Sequence, residues 1–181
     1  MIFTHIMHAP PIRFAWVISV VALAAGCAGS APDSRGTEAA ATKAVDREVE
    51  RVRVATARFK DLEEAVRAGY PREVSQCFDN PPEGGMGYHH VHEGLLDDRI
   101  EVERPEILVY ERTVDGDYEL VGVEYAVPLD GWMKEEPPTA MGQALKPAPG
   151  LGIWYLHVWV WRTNPKGLFA DWNPDVGCHG G

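Results

Sequence analysis

Asp115-Gly116, set between "PEILVYERTV" and "YELVGVEYAVPL", constrains this chain more than any other pair. Two runs of β-branched and aromatic residues meeting at Asp-Gly predict a tight hairpin, because a two-residue turn of the favoured hand needs positive φ at both central positions. Such a turn fixes a register: Val114 opposite Asp117, Arg112 opposite Glu119, Tyr110 opposite Val121 and Leu108 opposite Val123. One face of the ribbon is then apolar with an ion pair near its end. The other carries Ile107, Val109, Glu111, Leu120, Gly122, Glu124 and Ala126.

A third strand is predicted in "IWYLHVWVW", where Trp154, Leu156, Val158 and Val160 alternate with Tyr155, His157, Trp159 and Trp161. The connection before it, "PLDGWMKEEPPTAMGQALKPAPG", is long enough for a small domain to suggest a mobile or functional segment such as a lid. Upstream, Val45, Val49, Val52, Ala55, Phe59, Leu62 and Val66 recur at steps of three and four, which predicts one helix from Lys43 to about Ala68. Gly69 and Pro71 end it. The tail "RTNPKGLFADWNPDVGCHGG" has two Asn-Pro turns and is expected to wrap over the sheet, pinned at Cys178. The expected fold class is α+β: a long N-terminal amphipathic helix packed on a small antiparallel sheet of about three strands, with long loops and one disulfide.

The N-terminus reads as an address. Arg13 precedes "FAWVISVVALAAG", which has the length of a signal h-region and is short for a membrane span, and the stretch ends at Cys27. "LAAGC" resembles a lipobox, so residues 1–26 are expected to be a lipoprotein signal peptide and Cys27 the lipid-bearing residue, with a plain secretory signal as the alternative. Residues 27–42 are small and polar and read as a flexible tether, leaving 43–181 as a single globular domain. These features place the protein in the bacterial cell envelope, facing the extracytoplasmic side, or free as a secreted protein. In an oxidising compartment Cys77 and Cys178 are the expected disulfide; the alternative is a thiolate metal site using Cys178 and His179. A formal net charge of −10 argues against nucleic acid and against anionic head groups as partners. The membrane is expected as a partner only through lipid on Cys27.

Glu124 and His157 stand in mid-strand among apolar neighbours, where an unpaired charge would cost several kcal/mol, so each needs a partner. "GMGYHHVHEGLLDD" supplies candidates immediately before the hairpin. Extended, it puts His90 and His92 on one side and His89 on the other; helical, it clusters His89, His92 and Glu93. Imidazoles with a carboxylate suit zinc or another divalent transition metal. The expected metal ligands are His89, Glu124 and His157, with Tyr88, Tyr155 and Trp159 lining a small-molecule pocket. His90 and His92 are expected at the surface. Two other readings stand beside this one. Glu124 and His157 could be the acid-base pair of a metal-free enzyme in which Tyr88 or Tyr155 orients substrate, or a buried structural pair in a non-catalytic envelope protein.

The ordered motifs Ala68-Gly69-Tyr70, "GGMGYH" ending at His89, Val123-Glu124-Tyr125 and "HVWVW" from His157 to Trp161 resemble those of a family of small exported bacterial proteins with no established activity. The likeness runs from about Ala55 to Cys178. It matches Gly69, Tyr70, Cys77, Met86, Gly87, His89, Glu124, Tyr125, His157, Trp159, Asn164, Pro165, Asn173, Pro174 and Cys178. The connection before the third strand is shorter here, and His90 and His92 fall at positions where that family varies. The resemblance implies a His89, Glu124, His157 triad and a Cys77–Cys178 bond, and it implies no particular reaction.

Overall fold

The computed structural model describes residues 34–71 and 77–178; the leader, Cys27 and His179 lie outside them. Its framework is an antiparallel sheet of six strands, which corrects the expected small sheet of about three. The strands are β1 (Phe78–Asp79), β2 (Gly85–Val91), β3 (Ile107–Arg112), β4 (Tyr118–Pro128), β7 (Lys146–Ala148) and β8 (Ile153–Val158), in the order β1-β2-β3-β4-β8-β7. A separate two-stranded ribbon joins β5 (Thr139–Ala140) to β6 (Gln143–Ala144). The molecule is therefore mostly β. The strands that patterning missed are those whose composition disfavours them: β2 is glycine- and histidine-rich, and β7 contains Pro147, which an edge strand tolerates.

The hairpin forms, with a turn one residue longer than expected. Thr113 rather than Val114 lies opposite Asp117, its N–H donating to the Asp117 carbonyl at 2.8 Å. Within the turn only Gly116 has positive φ, at 92°. A three-residue loop needs one left-handed residue, and glycine adopts that conformation without a Cβ penalty. The register shift this creates is cancelled by a bulge. Arg112 pairs with Tyr118 and Tyr110 with Leu120, but beyond Val109 the expected pair of Leu108 with Val123 is restored. Leu120 and Val121 consequently exchange the expected faces: Leu120 packs with Leu108 and Tyr110, and Val121 with Val109. Were the shift to persist, Glu124 would turn to the opposite side of the sheet, since strand side chains alternate.

The helix begins at Ser34, inside the stretch read as a tether, where residues 35–43 are exposed. It is not one element to Ala68. α1 (Ser34–Thr56) passes into a 3-10 turn, Ala57–Lys60, and then α2 (Leu62–Arg67). Asp61 divides them, since its carboxylate accepts from the Glu63 N–H at 2.9 Å as the N-cap of α2. Val49, Val52 and Phe59 cover the sheet face built by Leu108, Tyr110, Leu120, Val123, Tyr125 and Leu156. The buried Tyr110 hydroxyl donates to the Phe59 carbonyl and ties this layer to β3. Each large apolar side chain buried in such a layer contributes about 1.5–3 kcal/mol.

The proline-rich connection contains the β5–β6 ribbon. Its ribbon turns at Met141-Gly142, both with positive φ (50° and 72°), and buries Ala140, Met141 and Leu145 in the core. The tail crosses the second sheet face, where Val176 packs on Val109, Val121 and Trp159, and Asn173 bridges to Gly85. It ends in a disulfide between Cys178 and Cys77, 101 positions apart. Residues 33–181 form one compact unit, and both buried clusters that the described residues show are drawn from positions 49–176. Among the described residues no helix is long and apolar enough to cross a membrane.

Candidate metal centre

Three strands deliver three side chains to one point on the tail-side face. Glu124 of β4 lies directly opposite His157 of β8 in the antiparallel pairing, so their side chains share a face. His89 of β2 pairs with Val109, which pairs with Gly122, so His89 reaches Glu124 diagonally across a position that has no side chain. A Cβ at Gly122 would stand 2.8 Å from the Val158 carbonyl oxygen and 3.6 Å from His157 Nε2, and its absence keeps room for the imidazole. Gly87, with φ of 87°, makes the matching approach on β2, where a Cβ would stand 2.7 Å from the Tyr110 carbonyl.

The three side chains are 8% (His89), 4% (Glu124) and 0% (His157) exposed. His89 Nε2 and His157 Nδ1 each lie 3.3 Å from the same oxygen, Glu124 Oε2. One donor atom from each residue lies within 4.8 Å of the others. Charge-assisted N–H···O bonds close to about 2.7–2.9 Å, so these contacts are long for hydrogen bonds. His157 Nε2 has no hydrogen-bond partner among the described residues, and its Nδ1 has only the long contact to Glu124. A wholly buried imidazole in that state demands an explanation. Donors bonded to zinc at about 2.0–2.1 Å in tetrahedral geometry stand roughly 3.3 Å apart, the separation of each imidazole nitrogen from Glu124 Oε2 here. The residues thus fit a metal ion.

Their protonation fits as well. Burial alone would push the Glu124 carboxyl up, but the adjacent His157 and His89 imidazoles outweigh it and hold the group below the usual carboxylate range. Burial pushes His157 down, against the pull of Glu124. An ionised carboxylate beside a neutral imidazole is the state that ligates a divalent cation without first losing protons.

A cavity of about 490 Å³ opens beside the cluster, lined by His89 and Glu124 together with Phe78, Met86, Ile107, Ile153, Tyr155 and Trp172 among others. Of the residues expected to line a pocket, Tyr155 does so. Burial and the neighbouring Asp171 push its phenol up to about 12, leaving a neutral O–H. Trp159 lies behind the site instead, its ring 4.3 Å from that of His157 and its Nε1–H donating to the Ala170 carbonyl. Tyr88 is on the opposite face, against Tyr118. The expectation that His90 and His92 are surface residues is corrected. His90 is 1% exposed, stacks edge-on against Tyr110 and places Nδ1 2.7 Å from the Pro71 carbonyl. His92 is half-buried against Tyr70 and Gly69. Alternation along an extended β2 explains this, because the odd and even histidines meet different cores. Cys178 is disulfide-bonded and so offers no thiolate.

Trp172 and Met86 were not expected at the cavity; Trp172 arrives through the tail, whose path no periodicity encodes. No family model, no curated protein and no solved structure matches the chain, so the function of this centre rests on its geometry.

Proposed function

We propose that this protein is an exported domain, tethered by lipid on Cys27, that binds a divalent transition metal, zinc in the first instance, through His89, Glu124 and His157. The observation that carries the reading is the pair of 3.3 Å separations from two imidazole nitrogens to one buried carboxylate oxygen. Left empty, that arrangement buries a charged carboxylate and leaves His157 Nδ1 with only a long contact; a cation satisfies both. Three protein donors leave zinc a further position, as in sites that bind exchangeable ligands, and there it would act as a Lewis acid. The neighbouring cavity supports ligand access to that position. Export is supported by "LAAGC" and by the Cys77–Cys178 disulfide, which persists in oxidising compartments.

The test is equilibrium dialysis of residues 33–181 against zinc, manganese, iron(II) and copper(II), followed by elemental analysis. One tightly held ion per chain, lost in Glu124→Gln and in His157→Ala, is the expected result. Binding below stoichiometry for every metal, with a melting temperature that drops in His157→Ala yet ignores added metal, would instead establish a structural pair.

A further inference from the structure

On the reading that His89, Glu124 and His157 hold a divalent metal, we propose that the adjacent cavity takes a single-chain amphiphile with a free carboxylate head, such as a medium-chain fatty acid. Its carboxylate would take the open metal position, and its chain would lie among Phe78, Met86, Ile107, Leu151 and Ile153.

Size and lining select the body of this ligand. At about 490 Å³ the cavity lies within the range that holds small organic molecules. Apart from His89 and Glu124, the described residues that line it are aliphatic, aromatic or methionine, so a sugar or a peptide would leave most of its polar groups unpaired there. The mouth is apolar too. Phe78 and Leu151, 43% and 67% exposed, are two of the five large hydrophobic side chains that the described residues leave in solvent, and both line this cavity. An alkyl chain would cover them, which accounts for their exposure.

Charge selects the head. Among the described residues no lysine or arginine lines the cavity. Without a metal, the described lining offers an anion no lysine or arginine to pair with. A divalent cation on one carboxylate and two neutral imidazoles leaves a net positive charge in an apolar surrounding, which a carboxylate neutralises and an ester or alcohol does not. Carboxylate binding should therefore depend on metal.

The experiment is calorimetric titration of decanoate into residues 33–181, with zinc content measured on the same samples. The zinc-loaded protein is expected to bind one decanoate per chain. Affinity should fall roughly three- to fourfold for each methylene removed toward hexanoate, the effect of taking a buried CH₂ back to water. Methyl decanoate, which stands in for ester-linked lipid chains, should bind at least tenfold more weakly, as should decanoate to the zinc-free protein. Leu151→Glu, at an exposed position that folding does not need, should weaken decanoate at least tenfold and leave the zinc content unchanged. Stoichiometric zinc with no preference of decanoate over its methyl ester, or no dependence on chain length, would overturn this assignment alone. Failure to hold zinc at all would overturn the metal reading beneath it, and the zinc analysis tells the two apart.

Discussion

His89 and His90 are sequence neighbours in β2 whose rings lie on opposite faces of the sheet. His89 sits in the cluster with Glu124 and His157, whereas His90 is packed on Tyr110 in the core beneath the helices. Their alanine variants should separate cleanly. His89→Ala is expected to weaken zinc binding by more than the ~10–100-fold typical of losing an outer-shell partner. His90→Ala is expected to bind zinc normally and to lose about 2–4 kcal/mol of folding stability, as large-to-small changes in a core do. Zinc titration and chemical denaturation of both variants check this.

Gly122 has no side chain where His157 needs space. In Gly122→Ala the new Cβ would stand 2.8 Å from the Val158 carbonyl, so β8 must move away from β4 next to His157. We expect a stability loss of about 1–3 kcal/mol, the usual cost of overpacking, together with weakened zinc affinity. Thermal melts with and without zinc read both effects: added zinc should raise the midpoint of the variant less than that of the parent.

Glu106 is 2% exposed, accepts a hydrogen bond from the Ala126 N–H, and is pushed up to about 8, chiefly by burial. A carboxyl raised on folding is protonated in the native state while the unfolded chain has lost its proton, so its contribution to stability declines as pH rises from about 4.5 to about 8. Glu106→Gln removes that slope. The variant should gain stability relative to the parent as pH is raised through this window, by up to about 1.4 kcal/mol per pH unit. Denaturation at pH 5 and pH 8 checks the sign.

The Cys77–Cys178 bond closes a separation of 101 residues and holds β1, with Phe78, against the tail. A Cys77→Ser/Cys178→Ser double variant is expected to lose about 2–4 kcal/mol, chiefly through greater freedom of the unfolded chain. It should keep one zinc per chain, because neither cysteine is a ligand. Melting curves and metal analysis of the double variant test both points.

What could be read from the residues, and what could not, divides along physical lines. Alternation in β3, β4 and β8 was legible, and it placed Glu124 and His157 on one face. The helical stripe of Val49, Val52 and Phe59 was legible as well, although the break between α1 and α2 was not, because the Asp61 cap is a side-chain event inside an otherwise continuous helical pattern. Asp115-Gly116 gave a hairpin of the wrong length. The two-residue turn with two positive φ angles occurs at Met141-Gly142, where burial of Met141 rather than residue preference sustains the conformation. Strand β2 was hidden because its glycines and histidines carry little strand preference. Its pairing with β3 is a tertiary choice, and that pairing decides which histidine meets the cluster.

The most direct test of the centre is X-ray absorption at the zinc edge of metal-loaded residues 33–181. The account predicts two imidazole nitrogens and one carboxylate oxygen at about 2.0–2.1 Å, one further light atom, and no sulfur. Adding decanoate should exchange that further atom without changing the protein donors. A shell of oxygen alone, or one containing sulfur, or a spectrum that retains two imidazoles in His157→Ala, would contradict it.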